Sequence, residues 1–222
     1  MNTKGIPCTT VWVEYPDIVA VLEKIGAPPA GKAPDGSPKY TLPAIYDPNT
    51  KLLCLNPLPS CDTQRRLYPD FKPVLVPGET DALHAAFNVV FVTTLIPDLA
   101  QILLSATNAQ LNPKSEEYFR RTREAAYGAK LEDWTPAGSE IRENRWKGVE
   151  EALDTLARWL SADGKEKLFF MSDISYADIT VAGCLLGANM LLGKDSKEWQ
   201  DILRWNDGRW ARFMDAFEEY GL

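Results

Sequence analysis

Ser172-Asp173-Ile174-Ser175-Tyr176-Ala177-Asp178-Ile179-Thr180-Val181-Ala182 decides the fold of this chain. Ser175 and Asp178 have the spacing of a helix capping box. The serine hydroxyl can accept the backbone N–H of Asp178, and the carboxylate can reach back to the Ser175 N–H. Ile174 before the cap and Ile179 in the first turn are placed to close a hydrophobic staple. From Ile179 to Leu192 the sequence is almost entirely apolar. A helix apolar all round is a core helix, so the box marks the start of an element at the centre of a domain.

Helical patterns surround that element. Asp81 to Ser105 is a long apolar stretch with Pro97 as a kink. Ser115 to Tyr127 is charged and reads as a helix capped by Ser115. Ser139 to Leu160 sets Trp146, Val149, Leu153, Leu156 and Leu160 at helical spacing. Lys197 to Leu203 reads as a short helix, and Asp207-Gly208 introduces a last one, Trp210 to Tyr220.

The first third has a different texture. Thr9 to Glu14 is β-branched and aromatic and predicts a strand. Asp17 is placed to cap a short helix, Ile18 to Ile25. Gly26 to Lys39 reads as a loop, and Tyr40 to Tyr46 as a strand entered through a proline. Asp47-Pro48-Asn49-Thr50 is a hairpin turn leading to a partner strand, Lys51 to Leu55. Cys61 to Leu67 follows as a helix. The whole predicts an α/β unit at 1–70, a linker at 71–79 and an all-helical domain at 80–222.

Composition excludes several classes. A net charge of −7 argues against nucleic acid, whose phosphates need a basic surface. The apolar run Ile179 to Leu192 is too short to span a bilayer and contains Asn189, so no membrane partner is expected. The first residues carry no apolar signal region, which makes the cytoplasm the default. Cys8, Cys54, Cys61 and Cys184 form no metal-ligand spacing and read as free thiols, mostly buried. His84, the only histidine, reads as a helix-surface or packing residue.

Three strings then carry a resemblance. Ser172 to Ala182 resembles the core-helix motif of the glutathione transferases. Lys4-Gly5-Ile6-Pro7 with Val11-Trp12-Val13-Glu14-Tyr15-Pro16-Asp17-Ile18, and Tyr40-Thr41-Leu42-Pro43-Ala44-Ile45-Tyr46-Asp47-Pro48, resemble the fungal, etherase-related, ligandin-like subgroup. The order of elements matches as well. The resemblance implies a thioredoxin-like domain, truncated at its start, followed by the all-helical domain. It also implies glutathione as co-substrate, aromatic or hydrophobic small molecules as second ligands, a homodimer, and a role in detoxification.

The same resemblance assigns the site residue by residue. Leu42-Pro43 matches the pair whose cis proline leaves the preceding N–H and C=O free for the cysteinyl backbone of glutathione. Asn56-Pro57 falls on the acid-serine pair that grips the γ-glutamyl group, and proline supplies neither hydroxyl nor N–H. A bounded mismatch of retained length is what a shifted reading frame, or divergence toward another ligand, leaves behind. The likeness begins at Lys4, so the family's first strand and thiol-activating turn find no match. No catalytic residue is assigned, and Cys8 reads as a packing substitution. Without that strand the Thr9 to Glu14 segment is expected to lack partners and to uncover apolar side chains. Three readings stand open: a transferase, a ligandin that binds without turnover, and an inactive relative.

Overall fold

A stripe of residues four apart, Phe87, Phe91, Leu95 and Leu99, followed by Ile102, is buried along one face of the longest helix and organises the helical part. The computed structural model describes residues 6–33, 36–55 and 74–218. The longest helix, α2 (Asp81–Gln110), runs through Pro97 and ends five residues past the predicted Ser105. After it come α3 (Pro113–Tyr127), α4 (Leu131–Trp134), α5 (Glu140–Leu160), α6 (Tyr176–Leu192) and α7 (Lys197–Asp215). The α2 helix packs against α5 and α6, and α7 closes over both. The core joins the α2 stripe to Val149, Leu153, Leu156 and Leu160 of α5, to Val181, Ala182 and Leu185 of α6, and to Trp199, Ile202, Trp210 and Phe213 of α7.

The capping box at the start of α6 is formed, and Ser175 and Asp178 are buried. Asp178 accepts the Ser175 N–H at 2.9 Å and the Ser175 hydroxyl at 2.6 Å. It also accepts the Phe170 N–H at 3.0 Å, which ties the preceding loop to the helix start. Ile174, next to the cap, is buried in the same core.

One close approach depends on a glycine. A Cβ on Gly148 of α5 would stand 2.0 Å from Oδ2 of Asp98 on α2. The bare backbone leaves room for the Asp98 carboxylate, which accepts Arg145 Nη1 at 2.7 Å. In α7 the break expected at Asp207-Gly208 is present. Trp205 is extended, and Asn206, Asp207 and Gly208 take positive φ of 53°, 56° and 73°, a region Gly and Asn tolerate best. Asn206 donates to Asp154 Oδ1 at 2.7 Å and accepts Trp210 Nε1 at 2.8 Å. These bonds hold the bend from both sides.

The smaller α/β part begins with a 3₁₀ turn (Tyr15–Asp17) running into α1 (Ile18–Lys24). Gly26 to Lys39, read as a loop, contains a two-residue ladder, β1 (Gly31–Lys32) with β2 (Pro38–Lys39). The predicted hairpin pairs β3 (Ala44–Asp47) with β4 (Leu52–Leu55), Ala44 opposite Leu55 and Asp47 opposite Leu52. Asp47 builds the turn by accepting the Asn49 N–H at 2.9 Å and the Thr50 hydroxyl at 2.7 Å. The fold is thus an α/β unit followed by an all-helical one.

Several expectations need correction. Thr9 to Glu14 is not a strand among the described residues. Its composition favours extended backbone, but a strand also needs a ladder, and Cys8 to Val13 make no backbone hydrogen bond there. Its apolar side chains are uncovered, Val11 being 76% and Trp12 91% exposed. Asp17 stands at the N-cap of α1 but makes no side-chain cap bond; its carboxylate meets Lys114 Nζ at 2.6 Å instead. The predicted helix at Cys61 to Leu67 lies outside the described residues, as do Asn56, Pro57 and the start of the 71–79 linker. Finally, α2 is long and apolar enough, by length and composition alone, to cross a bilayer. The sequence reading missed this because Thr93, Thr94 and Pro97 interrupt its strictly apolar runs. One stripe of it is buried in the bundle, while its opposite face is exposed.

Candidate functional site

Proline at position 43 enters β3, and the Leu42–Pro43 peptide bond before it is cis. The N–H and C=O of Leu42 make no backbone hydrogen bond among the described residues. Leu42 and Pro43 line a cleft of about 2030 Å³ between the two parts of the molecule. The α/β wall comprises the segments around Cys8 to Glu14 and Lys39 to Asp47. The facing wall comes from the end of α2 and one side of α3: Leu111, Asn112, Ser115, Tyr118, Thr122 and Arg123.

The walls meet at the N-terminus of α3. Asn112, not Ser115, is the N-cap residue, because Pro113 at the first helical position moves the cap three residues earlier. Ser115 is freed for a different task. It accepts the Tyr15 N–H at 2.9 Å and donates to the Glu14 carboxylate. Asn112 Nδ2 donates to Glu14 at 2.6 Å, and the Tyr15 ring meets Phe119 edge-on with centroids 5.3 Å apart. Glu14 thereby places a negative charge at the positive end of α3.

The hydrogen bonds from Ser115 and Asn112 hold the Glu14 carboxyl below its ordinary value of 4.5. A carboxylate with a lowered native value stabilises the fold above 4.5, and that contribution is lost as pH falls through the native value. Glu14→Gln is therefore expected to lower the melting temperature at neutral pH. The difference from the parent chain should shrink as the buffer is taken below pH 4.5. Paired thermal melts across an acid series check this, and a difference independent of pH would refute it.

The remaining sequence candidates sort by burial. Cys8 is exposed and lines the cleft, which departs from the expectation of a packing thiol; Cys54 also lines it. Cys184 is packed against the core, and burial pushes its thiol up to about 12. It is not a nucleophile at neutral pH. His84 is 2% exposed and packs edge-on to Tyr176 at 5.8 Å, as a packing residue should. Burial lowers its pKa from 6.5, so the ring is neutral near pH 7. Ser175 and Asp178 lie in the helical core and do not line the cleft. Sequence reasoning passed over Glu14, Tyr118, Thr122 and Arg123. For Tyr118 and Thr122, the 118/122 helical spacing was the available signal.

Comparison with known proteins gives the family. Residues 82–220 match the family model described as glutathione S-transferase, C-terminal domain. A glutathione S-transferase-like protein of Aspergillus flavus is 27% identical over 226 residues, covering 97% of this chain and 79% of that protein. A crystal structure of a glutathione S-transferase of Ceriporiopsis subvermispora in complex with glutathione superposes with a TM-score of 0.95 at 51% identity, covering 100% of this chain and 87% of that one. A glutathione transferase structure from Phanerochaete chrysosporium superposes at 0.91 with 38% identity, covering 99% and 86%. This chain belongs to the glutathione S-transferase family.

Proposed function

We propose that this protein is a ligandin-type member of its family, holding glutathione and an aromatic or hydrophobic compound together in the cleft. The observation that carries the reading is the make-up of its two walls. One presents Leu42, whose N–H and C=O have no backbone partner among the described residues, beside a cis proline; the other presents Tyr118 and Thr122 one turn apart on α3, with Arg123 next to them. Free backbone N–H and C=O groups recognise a peptide such as glutathione as an added strand would, through main-chain hydrogen bonds. Asn56 and Pro57, aligned with the family's γ-glutamyl pair, would weaken that grip, since proline offers no donor. Tyr118 on the helical wall gives a compound held beside glutathione an aromatic surface, which is what a binding protein needs.

The proposed organisation is a glutathione-binding unit at 1–70, a linker at 71–79 and the helical domain at 80–222, working in the cytoplasm in the handling of aromatic compounds. We place the homodimer contact on the outer face of α2, where Leu83, Val89 and Val92 are 64%, 61% and 48% exposed. Exposed apolar side chains on this helix are what an isologous contact about a two-fold axis would bury.

Calorimetry with glutathione, run beside conjugation of chlorodinitrobenzene, tests the function. Saturable glutathione binding without conjugation is the expected result. Conjugation by the purified chain would overturn the non-catalytic reading, and absence of glutathione binding would overturn the glutathione site itself.

A further inference from the structure

We propose that His84 is an acid-sensitive latch at the entrance to the helical domain: taking up a proton drives its ring away from Tyr176 and loosens the stretch Leu75 to Thr80 that leads into α2.

His84 stands where three pieces of chain meet. Its backbone N–H donates to Thr80 O at 3.0 Å, and Thr80 Oγ1 donates to Pro77 O at 2.7 Å. The first turn of α2 is thereby tied to the residues before it. The His84 ring meets the Tyr176 ring edge-on, with centroids 5.8 Å apart and planes at 88°. Tyr176, the first residue of α6, donates its N–H to Leu75 O at 2.7 Å and its hydroxyl to Asn88 Oδ1 at 3.3 Å. The residue on which the histidine rests therefore also holds the incoming chain. Leu75, Val76 and Tyr176 are buried together in the main core.

The ring has no place for a second proton. It is 2% exposed, and Nε2 has no hydrogen-bond partner. Neutral imidazole can leave that nitrogen bare, whereas imidazolium carries an N–H on both. A charged donor without a partner is costly in a buried site, and the ring escapes the cost by turning out to water. Asn88 on its own helix and Tyr176 on α6 face it as neutral groups. Asp81, one turn earlier on α2, is the charged group that acts on it among the described residues; it favours the proton, and burial outweighs it. Asp178 in α6 turns its carboxylate to Ser175 and Phe170 instead.

The direction of the pH effect follows. Burial holds the native value below 6.5, so the latch is fully closed above pH 6.5 and releases as pH falls through the native value. Asp178 runs in the opposite sense, because its own value is raised. The carboxyls of Glu14, Glu116 and Glu132 are lowered from 4.5 and lose their contribution only below it. A loss between pH 6.5 and 4.5 thus belongs to the histidine, and the chain has one.

Hydrogen exchange of the full chain, read by mass spectrometry from pH 7 to pH 5 and corrected for the intrinsic pH dependence of exchange, tests this. Protection over residues 74–88 and at the start of α6 is expected to fall about tenfold per pH unit below 6.5, the slope for uptake of one proton. The middles of α5 and α7 are expected to stay protected. His84→Gln and His84→Phe should each remove the pH dependence, whatever their protection at pH 7. Asp81→Asn should move the loss to lower pH, because a charge that favours the proton is gone. Protection independent of pH in the parent chain, or an unchanged slope in either histidine variant, would overturn the proposal. An equal loss across α5 and α7 would make the effect one on the whole chain and overturn the latch.

Discussion

Asp178→Ala is expected to lower the unfolding free energy of the helical domain by about 3–5 kcal/mol. The carboxylate is the acceptor for three donors at once: the Ser175 N–H, the Ser175 hydroxyl and the Phe170 N–H. Alanine removes all three partnerships, and the site lies against the core, with Ser175 only 1% exposed. A buried donor without a partner costs about 1–3 kcal/mol, and the two backbone donors cannot turn elsewhere. Ser175→Ala leaves both backbone bonds intact and is expected to cost about 1 kcal/mol. Chemical denaturation followed by far-UV circular dichroism separates the two. Equal losses would show that the hydroxyl, not the carboxylate, organises the helix start. The penalty also depends on pH. Burial pushes the Asp178 carboxyl above the ordinary 3.8, against the pull of its hydrogen bonds. The native state then holds its proton more tightly than the unfolded chain. The contribution of Asp178 is complete below 3.8 and declines as pH rises through the raised native value. The alanine penalty should decline over the same range.

Trp210→Ala is expected to cost about 3–5 kcal/mol, the usual range for deleting a fully buried aromatic ring. Trp210 is 0% exposed and meets Phe213 edge-on at 5.8 Å, in a cluster continued by Phe217 and Phe169. Its indole N–H also holds Asn206 at 2.8 Å, inside the left-handed bend of α7. Trp210→Phe keeps most of the buried area and removes that bond. A cost of about 1–2 kcal/mol is expected for it, from the freed Asn206 oxygen and the smaller ring. Denaturant midpoints of the two variants measure the packing and polar parts separately. An alanine variant within 1 kcal/mol of the phenylalanine variant would mean that the cluster closes over the gap.

What was legible in the sequence was what local chemistry determines. The Ser175–Asp178 box spans four residues, the α5 stripe spans one helix, and the α7 bend sits at Asn206-Asp207-Gly208; each is written in nearby residues. Two readings failed because their outcome depends on distant partners. Thr9 to Glu14 has the composition of a strand, but pairing is decided by whatever edge stands beside it. Ser115 looks like a cap, yet its partner Glu14 is 101 residues away in sequence, and no local pattern reveals such a contact. Arg123 was hidden for another reason. In a charged helix every arginine looks alike until the fold shows which ones have met a carboxylate. The Leu42–Pro43 conformation came from likeness to a family, because residue type alone makes only about 5–6% of such bonds cis.

The junction at the start of α3 has a mechanical meaning. The cleft's jaws are fastened at one corner by a few polar groups around Glu14, Asn112 and Ser115, with a single ring contact behind them. The main apolar core lies elsewhere in the bundle, and only the small cluster of Phe119, Leu131 and Trp134 packs behind this corner, against Tyr15. A junction of so few groups is where local opening would separate the small unit from the bundle at least cost.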